Sequence, residues 1–292
     1  MALFLAACGE RPASTAASAG RPLGAPAIWR MADADTTIYL FGTVHLLKPE
    51  TQWRSEAFDS AFEAADTIYF EADVQSPQAT QEVLRVIGEY GVYQGGGSLS
   101  AVLDDDEEQD VAEAAQALGV PFSALEQSRP WWAGVQLAQL QMIRQGYAPD
   151  SGVETVLHRA AEADGKQVGY FETVTEQLLF FGELPEEEQV DFLVSGVEQM
   201  EEDPYLLDRI VEDWAEGDLA ELTMAMADPE ALGSEVLYER LIVQRNRNWV
   251  PQIEALLEAP GVKFVAVGAA HLAGEDSVIA ILRSNGHQIE GP

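Results

Sequence analysis

Two histidines stand at matched places in this chain. Gly42-Thr43-Val44-His45 follows the apolar run Ile38-Tyr39-Leu40-Phe41, and Gly268-Ala269-Ala270-His271 follows Phe264-Val265-Ala266-Val267. The chain has only four histidines, so two Gly-x-x-His units after two strand-like runs form a pattern. Two carboxylates fall the same way: Glu71 directly after Thr67-Ile68-Tyr69-Phe70, and Glu172 directly after Val168-Gly169-Tyr170-Phe171. Imidazoles and carboxylates brought together either ligate a divalent metal or exchange protons with a substrate. The glycines fit sharp turns after strands, where a missing Cβ permits positive φ or close approach of another group. The bland alternatives are a histidine capping backbone carbonyls, a Glu71–arginine ion pair, and Glu172 capping a helix that starts near Thr173. Arg245, in Gln244-Arg245-Asn246-Arg247-Asn248-Trp249, is placed to hold one of these carboxylates or to stabilise an oxyanion; the alternative is a surface arginine. His158 and His287 read as packing and solvated histidines, and Trp131-Trp132 as core.

Four strands must carry these groups: 36–41, 67–70, 167–171 and 263–267, each rich in β-branched and aromatic residues. Helical patterns lie between them at 53–65, 76–89, 105–118, 130–145 and 151–164, with a last helix at 274–284 that places Glu275 and Asp276 in its first turn. Gln288-Ile289 reads as a short edge strand. This alternation predicts an α/β architecture with a mainly parallel or mixed sheet flanked by helices. From about 175 to 257 the pattern is almost entirely helical, broken at Glu183-Leu184-Pro185, Asp203-Pro204, Gly217 and Asp228-Pro229, and reads as a helical insertion or cap. Ligands of open α/β sheets bind at the carboxyl ends of the strands. Neighbouring parallel strands would therefore gather His45, Glu71, Glu172 and His271 into one cleft.

Acidic residues outnumber basic ones 50 to 16, for a formal charge of −34, which argues against a nucleic-acid partner. One cysteine excludes an internal disulfide framework. That residue, Cys8, ends Leu5-Ala6-Ala7-Cys8, which has the form of a bacterial lipoprotein box and predicts lipidation there. The residues after it, to about 27, are rich in Ala, Ser, Gly and Pro and read as a flexible tether. The expectation is a truncated signal and tether over 1–27, a single domain over 28–292, and attachment to the membrane by the lipid alone. The protein would then face the periplasm in the cell envelope of a Gram-negative bacterium.

Several segments together carry a family likeness: LFGTVHLL, FEAD, RPWWAGVQLA, GYAPDSGVETVL, GKQVGYFETVTEQLLFF, QRNRNW and FVAVGAAHLAGEDSV. Through them the chain resembles the TraB/GumN family, which includes the Tiki proteases and has erythromycin esterases and haem-binding lipoproteins as distant relatives. The resemblance implies an erythromycin-esterase-like fold and a divalent-metal-dependent hydrolase of peptide or ester bonds, using Mn, Co, Zn or Fe. It carries over to Gly42, Thr43, His45, Gly268 and His271, to Glu71, to Arg245 with Asn246, and to Glu172 with Gln177. His45, His271 and one of Glu71 or Glu172 would hold the metal; the other glutamate would be the general base, and Arg245 would stabilise developing charge. Two alternatives stand beside this: a metal-free, esterase-like site with His45 as base and Glu71 orienting it, and a periplasmic protein that binds haem, a metal or a peptide without turnover. The substrate, a peptide or another small molecule, and the oligomeric state are not specified by these residues.

Overall fold

The computed structural model describes residues 24–226 and 234–292. The lipidation expectation at Cys8, most of the tether and the Asp228-Pro229 turn lie outside the described residues. Six strands form one sheet in the order β4-β3-β5-β2-β1-β6. They are β1 Ile28–Ala32, β2 Thr36–Thr43, β3 Thr67–Phe70, β4 Gln167–Tyr170, β5 Gly261–Gly268 and β6 Ile289–Glu290. The four strands expected from sequence are parallel neighbours, β4 with β3, β3 with β5 and β5 with β2. The strand not anticipated is β1, whose Ile-Trp-Arg-Met-Ala alternates burial and pairs antiparallel with β2 and β6.

Helices cover both faces, and the side-chain period of two in the strands assigns each residue to a face. On one face Phe41, Phe264 and Ala266 pack with Phe58 and Phe62 of α1 (Glu56–Ala64). Further along α2 (Pro77–Val86), α3 (Asp105–Ala117) and α4 (Pro130–Arg144) follow. Leu157 and Ala161 of α5 (Val153–Ala163) join the same face. On the opposite face Ile38, Leu40, Val265 and Val267 meet Trp249 and Ile253, together with Val278, Ile279 and Leu282 near the C-terminus. β5 is buried over its last six residues, as expected for a central strand covered on both sides.

The helical region after β4 contains α6 (Val174–Gly182), α7 (Glu186–Glu202), α8 (Leu206–Glu216), α9 (Leu219–Met226), α10 (Glu235–Tyr238) and α11 (Gln244–Ala255). Its described breaks fall at Leu184-Pro185, Pro204 and Gly217, which takes a left-handed conformation after α8. Trp131 is fully buried and its indole donates to the Tyr90 carbonyl, so it is core. The last helix, α12, starts at Val278 with Ser277 as its cap. Glu275 and Asp276 therefore precede it rather than occupying its first turn, because the Ser277 hydroxyl captures the Ala280 N–H and fixes the start.

Candidate active site

The parallel register explains the repeated Gly-x-x-His unit. Thr43 lies opposite Gly268 across β2 and β5, so the two turns leave the sheet side by side. Neither glycine has positive φ. What matters at both is close approach. A Cβ on Gly42 would stand 3.0 Å from Ala269 Cα, and one on Gly268 would stand 3.1 Å from Glu71 Oε1 and 3.9 Å from His45 Nε2. Gly268 therefore lies open to both groups. A Gly268→Ala protein is expected to fold, since φ −50° and ψ 137° suit alanine, yet to shift Glu71 by a few tenths of an ångström. The measurement is thermal stability beside turnover: a stability loss with intact turnover would show that the space serves packing alone.

His45 is held from α5. Its Nδ1 is 2.8 Å from Glu154 Oε1, and the Thr43 hydroxyl donates to the same oxygen. The start of α5 is pinned there because Val153 N–H donates to the Val44 carbonyl. With Nδ1–H donating to Glu154, the tautomer assigned by that partner leaves a lone pair on Nε2. That nitrogen is buried and has no hydrogen-bond partner among the described residues, and neither has Glu154 Oε2. Burial pushes the Glu154 carboxyl up, but the hydrogen bonds from His45 Nδ1 and the Thr43 hydroxyl outweigh it and hold it below the usual range. A cavity of about 40 Å³ opens here, lined by His45, Glu71, Glu154, His158, Gln75 and Gln177 among others.

Arg245, from the first turn of α11, organises the other half. Its Nη2 donates to Glu71 Oε2 at 2.6 Å and to Glu172 Oε1 at 2.6 Å; its Nε donates to Glu172 Oε1 at 3.1 Å. Its Nη1 donates to the Leu241 carbonyl at 3.2 Å and meets His271 Nε2 at 2.9 Å. A guanidinium carries five N–H groups, and these contacts engage all of them. Arg245 thus holds the carboxylates, one of the two roles expected of it, and has no N–H left over for the other, stabilising an oxyanion. Its guanidinium also lies 4.6 Å from the centre of the Trp249 ring. Glu71 receives two further bonds, from Gly268 N–H at 2.7 Å and Gln177 Nε2 at 2.8 Å. Burial raises its pKa, but the Arg245 charge and the Gly268 N–H hold it well below the usual carboxylate range. Glu172 goes the other way: burial raises it and Arg245 only partly offsets this. Glu172 does not cap α6; Thr173 does, within a reciprocal capping box with Glu176.

His271 is fixed on both nitrogens. Nδ1 is 2.7 Å from Asn246 Oδ1, and Asn246 Nδ2 in turn donates to the Asp276 carbonyl. Because Arg245 can only donate, Nε2 is the accepting nitrogen and the ring is neutral. Burial, reinforced by the Arg245 charge, depresses its pKa to about 3. An unfolded histidine titrates near ~6.5. Between these values the unfolded chain binds the extra proton, so stability rises with pH across that window and is lost as pH falls through it. Glu71 adds to the loss below its unfolded value, and Glu172 opposes it. Urea unfolding between about pH 4.5 and 6.5 is expected to show a slope that flattens in His271→Gln by up to about 1.4 kcal/mol per pH unit. An unchanged slope would mean that the ring is protonated in the folded protein.

These bonds bear on the expected metal. The lone pair that His271 Nε2 would offer is turned to Arg245, and Glu71 Oε2 is shared between Arg245 and Gln177. Among the described residues no group of three or more His, Cys, Asp or Glu is arranged to hold a metal ion. A guanidinium sits where a divalent cation would neutralise the carboxylates, so these residues as arranged do not fit one. The structure thus gathers His45, Glu71, Glu172, His271, Arg245, Asn246 and Gln177 in one region. The residue not read from sequence is Glu154. Its signal was present: an acidic residue beside Val153 on the buried side of α5, in a segment that carries the family likeness. A glutamate in a first helical turn is, however, ordinarily accounted for by the helix dipole.

A family model described as the TraB/PrgY/gumN family matches residues 27–291. Among curated proteins, the uncharacterized protein YbaP of Escherichia coli (strain K12) is 23% identical over 258 residues, covering 88% of this chain and 92% of that protein. YbaP of Shigella flexneri is 23% identical over 245 residues, covering 84% and 87% respectively. No solved structure matches.

Proposed function

The chain belongs to the TraB/PrgY/gumN family, and from that premise we propose that it is a hydrolase of peptide or ester bonds in which His45 activates the attacking water. The observation that carries this reading is the buried, unpartnered Nε2 of His45, backed through Nδ1 by Glu154 and facing a cavity with room for a few water molecules. A water in that cavity would give its proton to Nε2 as it attacks a substrate carbonyl carbon. Glu154 would hold the imidazole in the required tautomer and stabilise the imidazolium, and the ionised Glu71 would add to that stabilisation. The proton on Nε2 would then pass to the leaving oxygen or nitrogen. Gln177 lines the same cavity and its amide bonds both Glu71 and Glu172, so it would keep the two carboxylates in place while the carbonyl is attacked. Arg245 would act indirectly, by keeping Glu71 charged and His271 neutral.

The test is a panel of peptide and ester substrates assayed with the purified protein before and after exhaustive chelation. Turnover that survives chelation and vanishes in His45→Ala supports this mechanism. Turnover lost on chelation and restored by Mn²⁺, Co²⁺, Zn²⁺ or Fe²⁺ would move the assignment to the metal-dependent hydrolase that the resemblance implies. His45 would then be the first ligand to examine, since a carboxylate behind an imidazole also suits a metal ligand.

A further inference from the structure

A second cavity lies on the other side of α6 from the His45 cavity, with a volume of about 550 Å³. It is a groove between α6 and α11. Its floor includes Glu172 and Trp249, and its α11 wall presents Gln244, Asn248 and Gln252, all exposed. These three amides recur every four residues along one helix. Gln252 is engaged with the Phe171 and Asn248 carbonyls, but the side chains of Gln244 and Asn248 have no hydrogen-bond partner among the described residues. The α6 wall presents Leu179, Phe180 and two carboxylates, Glu176 and Glu183, and Arg240, one turn before Gln244, sets a single cation at the end of the amide wall. Glu176 is tied into the Thr173 capping box, whereas Glu183 has no ion-pair partner among the described residues.

We propose that this groove binds an extended peptide carrying basic side chains. Two independent features point there. Four residues of helix advance about 6 Å, and two residues of an extended chain advance about 6.4–6.8 Å. Amides at that spacing meet the N–H and C=O of every second residue of an extended backbone, and an amide can both donate and accept. Side chains that alternate away from the amide wall face Glu176 and Glu183, over the partly apolar surface of Leu179 and Phe180. Lysine and arginine suit that wall, with stems on the apolar surface and charges at the carboxylates. A chain of net charge −34 also draws such a peptide toward it. The groove shares Glu172 with the Arg245 cluster, and α6 carries Gln177, which holds Glu71. A bound peptide therefore touches both helices that position Glu71.

The test is fluorescence anisotropy with a labelled acetyl-Ala-Lys-Ala-Lys-Ala-Lys-amide, titrated with the whole chain and with its His45→Ala variant at near-physiological salt. Saturable binding, equal in both proteins, is the expected result. Gln244→Ala/Asn248→Ala should weaken it about tenfold, the loss of roughly one hydrogen bond or more, and Glu183→Gln should weaken it severalfold, with unchanged thermal midpoints. A backbone N-methylated peptide should bind poorly, and spermine should not displace the label at matched charge. Absence of binding overturns the proposal, as does binding that ignores the Gln244/Asn248 change or the N-methylation. Displacement by spermine would reduce the groove to an acidic surface that attracts cations. Loss of binding in His45→Ala would place the peptide in the other cavity.

Discussion

Replacing Arg245 with methionine is expected to destabilise the protein by about 3–5 kcal/mol, the range for removing one partner of a buried ion pair. The side chain is almost fully buried, as are both carboxylates it holds. Methionine fills much of the volume but leaves the buried Glu71 and Glu172 without their cation, and leaves His271 Nε2 without its donor. The same change made in a Glu71→Gln/Glu172→Gln background should cost much less, because no unpaired charge is then left inside. Urea unfolding of the four proteins measures this coupling. A midpoint for Arg245→Met close to that of the parent would refute the placement of Arg245 at the centre of the cluster. Additive losses would show that the carboxylates do not depend on it.

The largest effect on turnover is expected at His45 and its support. His45→Ala should lower kcat by about 10²–10⁴-fold, the usual contribution of a positioned general base. Glu154→Gln should approach the same loss, although the side chain keeps its shape. A glutamine can turn its N–H toward Nδ1, forcing the proton onto Nε2 and removing the lone pair that would accept a proton from water; a comparable exchange at a catalytic triad has an effect of about 10⁴. KM should change little in both, whereas the thermal midpoint should fall in His45→Ala, which leaves the buried Glu154 carboxylate with the Thr43 hydroxyl but without its imidazole. Steady-state kinetics on whichever ester or peptide is turned over decides the matter. If Glu154→Gln kept full kcat while His45→Ala lost it, Glu154 would only anchor the loop, and Glu71 would return as the group that orients the base.

Local pattern carried a good deal of this. A strand announces itself by β-branched and aromatic residues over a few positions, and a helix by the recurrence of apolar residues, so the four parallel strands and the main helices were readable. The polar residue directly after each strand was readable too, because a strand that is buried along its length can place a charge only at its end. This is how His45, Glu71, Glu172 and His271 were found together. β1 escaped because Ile28–Ala32 is short, interrupted by an arginine, and lies at the sheet's antiparallel side, where a half-exposed alternation is weak.

Which residues stand at strand ends, the excess of acidic side chains, and the family likeness that the match over 27–291 bears out were all legible along the chain. How those residues are bonded to one another depends on the packing of distant elements. The order β4-β3-β5-β2 sets Glu172 and Glu71 beside each other and puts the two Gly-x-x-His turns side by side. Arg245 reaches Glu71 across 174 positions of chain, and Glu154 reaches Thr43 across 111. Periodicity reports only what a residue meets within its own element. Whether a buried carboxylate is neutralised by a guanidinium, a metal or an imidazole depends on which distant element packs against it, and in this fold α11 brings the guanidinium to Glu71 while α5 brings a carboxylate to His45.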